Sequence, residues 1–106
     1  MTKSTVDVVT DTKTEVKVRP PSLFDIIFFN DNKTYYEFVV LVLIEFLGRD
    51  YETAVQLTDF IHQKGRAVVA TFTYEIAAAK RDEIVAAARA NGHPLRVEIE
   101  PSGEEA

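Results

Sequence analysis

Residues 28–38 read Phe-Phe-Asn-Asp-Asn-Lys-Thr-Tyr-Tyr-Glu-Phe, and they constrain the fold more than any other stretch of the chain. Upstream, Phe24, Ile26, Ile27, Phe28 and Phe29 are aromatic or β-branched, which favours a buried strand. Downstream, Thr34 and Glu37 have the spacing of a helix capping box ahead of a long apolar run. Between the two lie three short amide or carboxylate side chains, which tolerate tight turns and bond to nearby backbone. A strand, a polar turn and a helix must therefore follow one another within about 20 residues. On the residues alone, the commoner meaning of Asn30-Asp31-Asn32 is a turn that starts the helix, and the alternative is a functional centre set between two apolar neighbours.

The elements on either side follow the same reasoning. Thr34 to Leu47 is apolar almost all round, as in a helix buried between a sheet and another layer, and Gly48 supplies the stop. Asp50 is placed to cap a second helix, with Ala54, Leu57 and Ile61 at helical spacing and Gly65 as terminator, so that His62 lies in the last turn. Arg66–Phe72 reads as a strand. Thr73 and Glu75 open an Ala-rich helix that ends at Asn91-Gly92, and Leu95, Val97 and Ile99 then alternate with polar residues in a strand with one wet face. The order β-α-α-β-α-β has too few strands for a doubly wound fold. It predicts a single small α+β domain, a three-stranded antiparallel sheet with helices packed on one face.

The expected boundaries are a flexible N-terminal extension over residues 1–22, the domain over 23–101, and a frayed end over 102–106. The extension has no aromatic residue and meets Pro20-Pro21, which can neither join a ladder nor continue a helix.

The 106 residues suffice for one core and not for two ordinary domains. The absence of cysteine excludes disulfides, thiolate metal sites and a thiol nucleophile. The net charge is −5, and the first 22 residues carry four basic and three acidic side chains, so the remainder is more acidic still, the reverse of a phosphate-backbone binder. No apolar run reaches the ~20 residues of a membrane span, and there is no signal-peptide run at the N-terminus. These features predict a cytoplasmic protein without nucleic-acid or membrane partners.

Enzyme chemistry is poorly supplied. The two histidines, His62 and His93, form no HExxH pair, and there is neither a GxSxG elbow nor a glycine-rich phosphate loop. Asp59, three residues before His62, has the spacing to imitate part of a triad, although a helix-surface pair is the commoner meaning. No catalytic residue, metal or cofactor is expected.

Three groups of residues point instead to a recognition module. The first comprises Pro20-Pro21-Ser22-Leu23-Phe24, Asn30-Asp31, Thr34 and Glu37-Phe38-Val39; the second Ala54, Leu57, Ile61, His62 and Gly65; the third Glu75, Lys80, Ala88, Arg89, Pro94 and Leu95. In order and in ungapped spacing, over about residues 20–100, they resemble the Clp protease adaptor family, ClpS.

The resemblance implies an adaptor that binds the free N-terminal residue of N-degron substrates, large hydrophobic or aromatic, and delivers them to a Clp-type AAA+ unfoldase of the ClpA or ClpC kind. It places Asn30, Asn32 and His62 around the substrate's α-amino group, with Asp31 beside them and Thr34 close by. Tyr36, Thr58, Ile61 and Leu95 fall in the side-chain pocket, Glu75 and Lys80 face the unfoldase, and the extension is presented to it. An α-amino group, with a reference pKa near ~7.7–8.0, is mostly a cation at neutral pH and requires acceptors. Asn30 and Asn32 offer amide oxygens and His62 a ring nitrogen. Three positions depart from the family's usual pattern: Asn32 replaces a second Asp, and Tyr36 and Thr58 each replace a Met. They leave open a second expectation, a divergent domain that docks on a Clp ATPase or another partner without reading N-terminal residues.

Overall fold

The computed structural model describes residues 22–105. Six elements follow in the expected order: β1 (Ser22–Phe29), α1 (Tyr36–Glu45), α2 (Tyr51–Lys64), β2 (Arg66–Thr73), α3 (Tyr74–Ala90) and β3 (Arg96–Glu105). The sheet is antiparallel with β1 in the centre, in the order β2-β1-β3. Residues 1–21 and 106 lie outside the described residues, and so does the expected extension apart from Ser22, which begins β1.

The centre of β1 is apolar on both faces. Ile26 and Phe28 are fully buried and join Val69, Ala70 and Val97 of the flanking strands in one core with Leu43, Ala54, Ile61, Ile84 and Ala88 of the helices. Ile27 is also buried but belongs to the other face, opposite Val68 on one side and Glu98 on the other. Burying a side chain of this size stabilises by roughly 1.5–3 kcal/mol, so β1 is the natural axis of the domain. Helix α3 reaches the core through Ala77, Ile84 and Ala88, where the two alanines let the helix lie close and Ile84 fills the space beside them.

The β1–β2 ladder slips by one residue between Ile26 and Ile27, because Ile26 pairs with Ala70 while Ile27 pairs with Val68. The carbonyl of Val69, at the slip, accepts from Nε and Nη2 of Arg49 at 3.0 and 2.8 Å. One guanidinium therefore fixes the α1–α2 connection onto the sheet.

Several local readings hold. The Asp50 carboxylate accepts from the Thr53 amide at 2.7 Å and caps α2, and Gly48 and Gly65 adopt positive φ where their helices end. Others are corrected. Helix α1 begins at Tyr36 with Tyr35 at its N-cap and no side-chain cap bond, so the Thr34–Glu37 capping box does not form. Asp31 outcompetes it, since its carboxylate binds both the amide and the hydroxyl of Thr34. Nor is α1 buried all round: Leu41 is 53% exposed. Strand β3 also runs on to Glu105, past Pro101, where the sequence reading has a frayed end. An edge strand bonded only to β1 can accommodate a proline, and the β1–β3 register shifts at this point, between Ser22 and Phe24.

Candidate functional site

The polar turn after β1 faces the C-terminal end of α2 across a cavity of about 310 Å³. The N–H of Asn30 donates to the carbonyl of Gly65 at 2.9 Å, fixing the end of β1 to the residue that closes α2. Asn30 and His62 are thereby brought to one rim although 32 residues separate them in sequence. The cavity is lined by Asn30, Asp31, Asn32, Thr34, Tyr36, Thr58, Ile61, His62 and Leu95, together with Phe29 and Val39.

Asp31 organises the turn. Its Oδ1 accepts from the amides of Lys33 and Thr34 at 2.8 and 2.7 Å, and its Oδ2 accepts from Thr34 Oγ1 at 2.8 Å. Partial burial alone would raise its pKa, but the Thr34 hydroxyl, the two amides and nearby His93 together hold it below the ordinary aspartate value. The carboxylate thus stays charged, and its acceptor capacity is largely committed within the loop. Asn30 and Asn32, both exposed, keep their amides at the rim.

The floor is apolar. Ile61 is 4% and Leu95 1% exposed, and Val39 of α1 joins them. Thr58 is buried, with its hydroxyl donating to the carbonyl of Ala54 at 2.7 Å, so it presents no free donor to the cavity. Leu95 precedes β3, and its carbonyl accepts from Arg89 Nη1 at 3.0 Å; the same nitrogen bonds the carbonyl of His93 at 2.9 Å. Helix α3 thereby clamps the loop that supplies one wall. Beside the cavity, the His93 ring packs against Tyr35 and Phe38 at centroid distances of 5.0 and 4.6 Å.

Tyr36 stands at the start of α1, and its hydroxyl donates to Oδ1 of Asp59 on α2 at 2.7 Å. Asp59 therefore partners Tyr36 and not His62. The hydrogen bond to this carboxylate, with a lesser contribution from burial, pushes the phenol up to about 12.

All nine residues expected at the amine and in the side-chain pocket line the one cavity, whereas Glu75 and Lys80 lie apart from it on α3. Phe29 and Val39 read in the sequence only as strand and helix residues and not as site residues, since a strand-end aromatic and a helix valine carry no chemistry of their own. Phe29 sits at the rim beneath the guanidinium groups of Arg66 and Arg96, 5.2 and 4.1 Å from its centroid. Glu100 and Glu98 pair with these two arginines and offset their charge near the mouth.

Among the described residues, no helix is long and apolar enough to cross a membrane. Residues 19–98 match the family model of the ATP-dependent Clp protease adaptor protein ClpS. The chain is 40% identical over 86 residues to the ATP-dependent Clp protease adapter protein ClpS of Paraburkholderia phymatum, and 41% identical over 86 residues to that of Burkholderia mallei. Each alignment spans 81% of this chain and 83% of the relative. Among solved structures, Agrobacterium tumefaciens ClpS2 bound to L-phenylalaninamide superposes with a TM-score of 0.75 at 30% identity, covering 77% of this chain and 99% of that one.

Proposed function

The chain belongs to the ClpS family of ATP-dependent Clp protease adaptors, and from that membership and the chemistry of the cavity we propose that it binds the free N-terminal residue of substrate proteins. It is an adaptor and not an enzyme. In this reading Asn30, Asn32 and His62 accept from the substrate's α-ammonium group. Asp31 shapes the loop and adds negative charge, and Thr34 locks it. Tyr36, Thr58, Ile61 and Leu95 surround the first side chain, which is large and hydrophobic or aromatic.

The observation that carries the reading is the pairing, in one cavity of about 310 Å³, of amide and imidazole acceptors at the rim with an apolar floor. This volume is at the low end for ligand pockets and suits one amino-acid residue better than a long peptide. The likeness to a structure holding an amino-acid amide supports the same reading. Delivery would be to a Clp-type AAA+ unfoldase of the ClpA or ClpC kind in the cytoplasm, with Glu75 and Lys80 facing it and the N-terminal extension engaged by it.

Chemical-shift mapping with L-phenylalaninamide tests the assignment. Perturbations should concentrate on Asn30, Asn32, His62 and Leu95. Perturbations confined to α3 around Glu75 and Lys80, or none at all, favour the second reading, a docking domain that does not read N-termini, for which the amide at Asn32 is the specific support.

A further inference from the structure

Tyr36 lines two cavities. One is the site described above; the other, of about 280 Å³, is an open groove formed with Glu37, Val40, Leu41, Ile44 and Tyr51 along α1. An aromatic ring shared by both is a wall whose position sets how far the first extends. Tyr36 is 42% exposed, so packing alone leaves its ring only partly restrained. What fixes it is the 2.7 Å bond from its hydroxyl to Oδ1 of Asp59, a charge-assisted contact that joins the first turn of α1 to the third turn of α2. The raised Tyr36 phenol, whose leading cause is that same bond, agrees with a persistent contact.

We propose that Asp59, which does not line the cavity, is a positioning residue that holds the Tyr36 ring as the partition between the two cavities and so favours an aromatic over an aliphatic first side chain. The inference rests on the proposed reading of N-terminal residues. A ring already ordered offers an edge or face contact to an incoming aromatic side chain without the entropic cost of fixing it on binding. A leucine side chain gains less, because its contacts are non-directional and made mainly with Ile61 and Leu95. Loss of the bond leaves the ring free to move toward the α1 groove, and the aromatic ligand then loses more than the aliphatic one.

The test compares Phe- and Leu-initiated peptides, both with free amines, across variants. Asp59→Ala and Tyr36→Phe should each lower the Phe-over-Leu affinity ratio by about threefold or more. The double variant should lower it no further than either single change. Asp59→Asn should restore the ratio, because its amide oxygen still accepts from the phenol. Asp59 is exposed, and thermal unfolding of each variant serves as the control for a purely structural role. A ratio unchanged in Asp59→Ala, or additive effects in the double variant, would overturn the inference while leaving N-terminal recognition intact. Failure of the wild-type protein to bind either peptide would instead remove the underlying reading, and this inference with it.

Discussion

The backbone N–H of Asn30 donates to the carbonyl of Gly65 at 2.9 Å, so the turn that carries three polar site residues hangs from the glycine that ends the helix carrying His62. Gly65 has φ +94°, and an added Cβ would meet nothing within 4 Å, so a side chain there is opposed by backbone strain and not by crowding.

Gly65→Ala should therefore destabilise the domain by about 1–2 kcal/mol, the cost of a left-handed non-glycine residue. Relaxation of the strain would move the Gly65 carbonyl and with it Asn30, so affinity for a free-amine peptide should fall as well. Thermal denaturation and a binding titration on the same variant check both outcomes. An unchanged melting temperature would contradict the strain argument.

Asp31→Ala removes the acceptor of three hydrogen bonds, one exposed and two part-buried, and should cost about 1–2 kcal/mol of stability, since each contributes toward the low end of about 0.5–1.5 kcal/mol. The sign of its pH dependence follows from the direction of the shift. Because the folded-state pKa lies below the unfolded value, near ~3.9, the carboxylate's contribution is fully present above that value and is lost as pH falls through the folded one. The difference in unfolding free energy between wild type and variant should be level from about pH 7 to 5 and shrink below about 4. A difference that grows on acidification would reverse the assignment.

The strand-turn-helix at residues 24–47 was readable in outline because its signals are local: aromatic and β-branched residues, then short polar ones, then an apolar run. The helix start was not. Thr34 and Glu37 match a capping box, but the competing acceptor, Asp31, lies outside that pattern and takes both polar groups of Thr34. The site residues came from the family resemblance and not from periodicity, since Ile61 and Leu95 look like plain core in the sequence and are indeed buried. The bond from Tyr36 to Asp59 spans 23 residues and two helices, and no spacing rule reaches that far.

Asn32→Asp should strengthen binding. A carboxylate facing an ammonium group contributes about 1.5–3 kcal/mol net, against about 0.5–1.5 for a neutral amide acceptor. After desolvation of the new charge, the gain should be up to about 1 kcal/mol, or roughly fivefold, for free-amine peptides. It should vanish for acetylated ones. An equal gain for both peptide types would mean that the substitution reshapes the loop without touching the amine.

Removing residues 1–19 separates recognition from delivery. If the extension is engaged by the unfoldase, the truncated chain should hold peptides with unchanged affinity yet fail to hand a substrate to the unfoldase-protease. Degradation of an N-degron reporter, measured beside peptide binding, distinguishes the two. Undiminished degradation would place the delivery function elsewhere.

In the proposed function the rim of Asn30, Asn32 and His62 reads a free α-amino group. Calorimetric titration with one Phe-initiated peptide, carrying either a free or an acetylated N-terminus, tests it directly. Acetylation removes the charge and adds bulk while leaving the phenyl side chain available to the apolar floor. Loss of the charge-assisted bonds should weaken binding by about 1.5–3 kcal/mol, at least roughly tenfold. Equal affinity for the two peptides would mean that the rim does not read the amine.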